Sequence, residues 1–164
     1  MEKFQEARDK AKRNLLIADH MVYMTYTLVK DPKLLLTALE NIFLALTNSM
    51  TSVLHYENLF KRVPPFPENF EAKFSLFRDS VASRYKVNKD HLTMIRDVKS
   101  IIMEHRKSPM EFVKNERFVI CSSDYRMKII SVEQMKKYIG QTKSFMNEMN
   151  LIVSKDEGIL NRSK

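Results

Sequence analysis

Residues 34–56, LLLTALENIFLALTNSMTSVLHY, carry a single charged side chain, Glu40, in a chain that is 29% charged. A helix so poor in charge must hide most of its circumference, in a bundle centre, a subunit interface or a membrane. Its polar content argues against the membrane. Thr37, Asn41, Thr47, Asn48, Ser49, Thr51, Ser52 and His55 interrupt it, whereas a spanning helix wants about 20 consecutive, mostly apolar residues. The stretch reads as the buried core helix of an all-α protein, and as a dimer contact.

The neighbouring segments supply its partners. From residue 2 to residue 30, Phe4, Ala7, Ala11, Leu15, Ala18, Val22 and Thr25 recur in steps of three and four, the spacing of an amphipathic helix. Asp31-Pro32 interrupts it and suits the cap and first position of a second helix, expected to run to about Lys61. So short a break makes the two helices an antiparallel hairpin. Val63-Pro64-Pro65-Phe66-Pro67 is a stiff linker. A third helix follows from about Glu68, with Phe70, Phe74, Phe77, Val81 and Tyr85 inward. A fourth spans about 90–107, with Leu92, Ile95, Val98, Ile101 and Ile102 inward. Within 116–130, Phe118-Val119-Ile120-Cys121 and Arg126-Met127-Lys128-Ile129 flank the turn-prone Ser122-Ser123-Asp124 and predict a small β-hairpin. Ser131 and Gln134 fit a capping box that opens a last helix to about Val153, with Met135, Tyr138, Ile139, Thr142, Phe145, Met146 and Met149 inward. The expected architecture is an antiparallel bundle of about five helices with a small β-hairpin before the last. One domain covers 1–155, and 156–164 form a frayed tail.

Composition narrows the chemistry. With 164 residues and 44% hydrophobic content, the chain can bury a full core. Two glycines, Gly140 and Gly158, rule out glycine-rich phosphate cradles. One cysteine, Cys121, rules out an internal disulfide framework and a multi-cysteine zinc site. The four histidines, His20, His55, His91 and His105, show no His-Glu-x-x-His or Glu-x-x-His spacing, so neither metal nor cofactor is expected. The opening residues contain no apolar run, which makes a cytoplasmic location the default. The net charge of +8, with an isoelectric point near 9.5, suits either contact with a polyanion or a lysine-rich solvated surface.

Two sets of polar residues are candidate sites. Arg13 and His20 stand seven residues apart on the first helix. Asn41, Asn48 and His55 stand at the same spacing on the second. Seven residues are two turns, so each set shares a helix face. Were the hairpin to bring Arg13, His20, Asn48 and His55 into one groove, the arginine would clamp phosphate oxygens and an imidazole could exchange a proton. Heptad-spaced asparagines can equally set helix register. The second set is basic. Between Lys61 and Lys107 there are 11 Lys and Arg against 6 Asp and Glu, and Arg78, Arg84, Lys86 and Lys89 gather around a helix end as a candidate nucleic-acid surface. A solvated face is the other reading of that cluster.

The opening Phe4-x-x-Ala7-x-x-Lys10-Ala11-x-x-Asn14-Leu15-Leu16-x-Ala18-Asp19, the short break and the Ala/Leu-rich helix ending at Tyr56-Glu57 resemble the start of the HEPN superfamily. The likeness covers about the first 60 residues. These are helical bundles, often dimeric, that include ribonucleases of toxin systems and partners of minimal nucleotidyltransferases. Their ribonuclease motif is an arginine, a polar residue and, a few residues on, a histidine, an order that Arg13-Asn14 and His20 match. The family carries that motif late in the bundle, whereas here it lies in the first helix. The resemblance therefore implies a noncatalytic, homodimeric module that binds RNA or a nucleotide. An assembly protein working through a helical interface is the alternative, and a metal-independent ribonuclease is a third. The assembly reading requires a large apolar face left uncovered in the monomer. The ligand reading requires Arg13 and His20 to face an accessible groove.

Overall fold

The protein is described here by a computed structural model covering residues 2–107, 110–121 and 126–162. It is a predominantly helical bundle of five rods with a small antiparallel sheet before the last. The first rod is α1 (Lys3–His20), a π-helical segment (Met21–Thr25) and α2 (Tyr26–Val29). The second is α3 (Lys33–Leu59). The third joins α4 (Phe70–Leu76), a second π-helical segment (Phe77–Ala82) and α5 (Ser83–Tyr85). Then come α6 (Lys89–Lys107), β1 (Met110–Lys114), β2 (Arg117–Cys121), β3 (Met127–Ile130) and α7 (Val132–Arg162).

α3 is the axis, and it contacts α1, α7, α6, α4 and β2. It contains no glycine or proline between Lys33 and Leu59, so nothing interrupts its hydrogen-bond ladder. By length and composition it could cross a membrane, but 56% of its most apolar stretch is buried within the fold. Leu35, Leu39, Ile42, Leu46, Met50 and Leu54 are wholly buried. Ala7, Ala11 and Ala18 of α1 are buried, as are Ala38, Ala45, Ser49 and Ser52 of α3. Short side chains on both sides let the two backbones approach closely. The Ser52 hydroxyl donates 2.6 Å to the Phe4 carbonyl, and Ala11, Ala45 and Met146 of α7 pack as one cluster.

Local chemistry sets the ends of the rods. Asp31 accepts from the Lys33 amide at 3.0 Å, Asn69 from Ala72 at 2.8 Å and Asn88 from Asp90 at 2.9 Å. Ser131 caps α7 through the Gln134 amide at 3.3 Å. The reciprocal half of the expected capping box is replaced, because the Gln134 side chain bonds the Tyr138 hydroxyl at 3.1 Å instead. With glycine so scarce, lysine closes three rods in the left-handed region: Lys30, Lys61 and Lys86 have φ of 56, 56 and 53°. Behind two of them the amide reaches back five residues, Arg62 to Glu57 and Val87 to Ala82, the bond of a Schellman cap.

The β region is larger than its sequence suggested. β2 and β3 pair antiparallel as expected, and β1 adds a strand on the other side of β2. The Met110–Lys114 strand turns into β2 through Asn115 and Glu116, both at positive φ (52 and 60°). That is the requirement of a two-residue hairpin with the favoured twist. The predicted turn at Ser122-Ser123-Asp124 lies outside the described residues. Phe118, Ile120 and Ile130 point into the core. The last helix runs past Val153 to Arg162, so the backbone of the predicted frayed tail is helical through that residue, and 163–164 lie outside the described residues.

Candidate functional site

The four ligand candidates do not meet in one groove. Arg13 and His20 are exposed on the outward side of α1, and neither has a hydrogen-bond or ion-pair partner among the described residues. Asn48 belongs to a different arrangement. Its amide donates 3.0 Å to Asn14, whose own amide donates 3.4 Å to Asn41. Asn41 in turn donates 3.0 Å to the Thr37 carbonyl. The two α3 asparagines are thus linked across the hairpin by an α1 residue that the heptad reading overlooked. His55 lies at the opposite end of the hairpin from His20. It borders a cavity of about 260 Å³ with Lys3, Phe4 and Asn58, beneath the Phe66 ring at 4.9 Å. Lys3 and His20 are 17 residues apart on one helix, about 25 Å at 1.5 Å per residue, so no small ligand spans His20 and His55.

The basic cluster divides. Arg78 pairs with neighbouring Asp79 at 3.0 Å. Lys86 and Lys89 are exposed. Arg84 is engaged by a buried carboxylate. Glu57, 1% exposed, accepts from Arg62 at 2.8 and 3.1 Å, from Arg84 at 2.9 Å and from the Tyr85 hydroxyl at 2.6 Å. Arg62 also lies over the Tyr56 and Phe60 rings. Burial, then the bond to Glu57, pushes the Tyr85 phenol above its ordinary range, so it stays a donor. A lone carboxylate cannot be buried uncompensated. Here two guanidiniums and a phenol tie the end of α3 to α5. Sequence reasoning missed this cluster. Its one signal was an acidic residue at the end of a charge-poor helix, five positions before an arginine.

Two carboxylate–imidazole pairs brace other joints: His91 with Glu148 at 2.9 Å and His105 with Glu111 at 2.5 Å. A polar cleft of about 400 Å³ between α6 and α7 presents Asp90, Asp97, Gln134, Lys137 and Tyr138. Burial pushes the Tyr138 phenol up. No group of three or more His, Cys, Asp or Glu able to hold a metal occurs among the described residues.

The outward side of the first rod departs from an ordinary surface. Leu16, Ile17, Met24, Leu28 and Val29 are 47 to 83% exposed. Asn14, Ile17, Met21, Met24 and Leu28 follow one another in steps of 3, 4, 3 and 4, the spacing of a coiled-coil seam, with Asn14 and Met21 half-buried and Met21 packed against the core. The π-helical segment acts on the lines of this rod that step by four. Steps of four drift about 40° on a 3.6-residue helix, and the wider π turn takes that drift back. Buried Ala18, Val22 and Tyr26 therefore stay on the core side across the segment, and His20, Met24 and Leu28 stay outside. On α3, Leu44 is 45% exposed between Asn41 and Asn48, which extends the apolar strip beside Asn14. No known protein family, curated protein or solved structure matches the chain.

Two outcomes follow for stability. The double variant Arg62→Ala/Arg84→Ala strands a buried carboxylate and is expected to cost about 3–5 kcal/mol. Glu57→Gln costs less, because both arginines are part-exposed and can turn to water. Urea denaturation midpoints should rank the two in that order. For His55, burial and then Lys3 push the imidazole below its ordinary value of 6.5, with Glu68 opposing. The folded chain thus binds this proton more weakly than the unfolded chain. The contribution of His55 to stability is complete above pH 6.5 and is lost as pH drops through 6.5 toward the folded value. His55→Gln should flatten that part of the stability–pH curve.

Proposed function

We propose that this chain is an assembly module that pairs with a second copy of itself through the outward face of its first helical hairpin. One observation carries the reading: an apolar strip with coiled-coil spacing on the first rod, in which Ile17, Met24 and Leu28 are exposed, Met21 is half-buried between them and Asn14 stands at one end. Large exposed apolar side chains scattered singly need no explanation, but a contiguous strip does. The self-complementary arrangement is antiparallel. A two-fold axis between Met21 and Met24 sets Ile17 against the partner's Leu28 and Met21 against the partner's Met24. Arg13 then falls at the end of the seam toward the partner's Asp31, so charge as well as apolar surface is complementary. The Asn14–Asn41–Asn48 cluster borders the strip and acts as the polar element that fixes register. Sedimentation equilibrium should give a dimer at micromolar concentration. Ile17→Glu or Leu28→Glu should give a monomer with an unchanged far-UV spectrum. A wild-type monomer at those concentrations sinks the proposal.

A second reading, binding of RNA or a nucleotide by a HEPN-like module, draws support from Arg13 and His20, exposed and unpartnered among the described residues. On that reading a single-stranded RNA binds at low salt. Its affinity falls steeply between about 50 and 200 mM salt, and Arg13→Ala weakens it. Binding unaffected by Arg13→Ala would remove the site from this helix.

A further inference from the structure

The outer face of the sheet carries an apolar trough with a basic end, apart from the first rod. Side chains alternate across a strand, and the register assigns three successive rows to this face. Lys114 stands opposite Arg117. Phe112, Val119 and Ile129 form the middle row. Cys121 stands opposite Met127. Phe112 and Ile129 are exposed walls, and the smaller Val119 between them is a 5% exposed floor. The result is a trough of about 290 Å³ that runs along the strands, apolar for most of its length and basic at the hairpin end.

The basic end is anomalous. Like charges directly opposite one another on a sheet face are destabilising. Neither Lys114 nor Arg117 has an ion-pair partner among the described residues. The nearby Glu111 lies on the other face and is engaged by His105. The turn between the two cations is itself held in place, with the Tyr26 hydroxyl donating to the Glu116 carbonyl at 3.4 Å. Two cations without ion-pair partners among the described residues, on a backbone turn held in place beside an apolar trough, are complementary to a ligand with an apolar stripe and an anionic end.

We propose that this trough docks an amphipathic helix of another protein, its apolar stripe lying between Phe112 and Ile129 and its acidic C-terminal turn at Lys114 and Arg117. The sunken Val119 row fits a convex cylinder better than a flat bilayer. The C-terminal end of a helix already carries partial negative charge, which adds to any carboxylates there. The apolar strip amounts to a few exposed side chains, so the contact is of the weak, transient class.

The test uses two synthetic amphipathic helices of about four turns with the same leucine stripe, one ending in Glu-Glu and its twin in Lys-Lys. Each is titrated into the full chain and followed by backbone amide shifts. The acid-ended peptide should shift amides of β1, β2 and β3 and bind roughly tenfold tighter than the twin. Lys114→Glu/Arg117→Glu should invert that preference. Ile129→Glu should abolish both, and the more exposed Met127→Glu serves if Ile129→Glu does not fold. Equal affinity for the two peptides, or no shifts in the sheet, overturns the proposal. So does binding to phosphatidylserine vesicles in place of the peptides, or loss of self-association in Met127→Glu. The Leu28→Glu chain should keep peptide binding, which separates this surface from the seam on the first rod.

Discussion

Everything in this fold depends on covering α3. Twenty-three consecutive residues with one charge cannot face water on more than a narrow strip. Each wholly buried leucine or isoleucine on α3 contributes about 1.5–3 kcal/mol by leaving water, so the helix holds α1, α4, α6, α7 and β2 around it. The closest contact is with α1, where alanines and serines replace bulk with proximity. That seam is also the most sensitive to enlargement, because a close-packed interface has no room for an added methylene.

The same constraint explains where the charges went. The last turn of α3 holds Glu57, whose carboxylate is buried near the helix C-terminus, the end at which negative charge is least favoured. Arg62, Arg84 and Tyr85 compensate it, and in doing so they lock the third rod to the second. A fold that needs two of its arginines for this purpose has fewer left for a nucleic-acid surface. The fold leaves exposed apolar side chains together in two places, the outward side of the first rod and the outer face of the sheet. The Tyr26 hydroxyl on Glu116 connects the two elements, but the surfaces differ in kind. The seam is apolar along its length, and the trough is basic at one end only.

Much of the architecture was legible because its periodicity is strong. Phe4, Ala7, Ala11, Ala18 and Val22, and Met135, Ile139, Phe145 and Met149, are buried as their spacing implies. Asp31, Asn88 and Ser131 sit at the starts of their helices. β1 was not legible. Met110–Lys114 is short and exposed wherever its side chains are described, and its pairing depends on β2 rather than on its own pattern. The proposed ligand groove failed as geometry for a simple reason. A heptad spacing places residues on one face of their own helix, but it does not say which face of the neighbour they meet, nor at which end. Asn48 found Asn14, and His55 found Lys3 and Phe66, at opposite ends of the hairpin.

The sequence by itself determined the helices, their order and which stripe of each turns inward, because those follow from local periodicity and capping chemistry. It also carried the 3-4-3-4 seam from Asn14 to Leu28, though nothing local distinguishes a covered seam from an open one. Only the tertiary structure decided that Ile17, Met24 and Leu28 of this seam stay exposed, that Glu57 gathers two arginines and a tyrosine, and that Lys114 and Arg117 stand opposed beside an apolar trough. Each of these joins side chains from separate elements or strands, or depends on the absence of a neighbour. Such facts are properties of packing in three dimensions, which no single stretch of chain encodes.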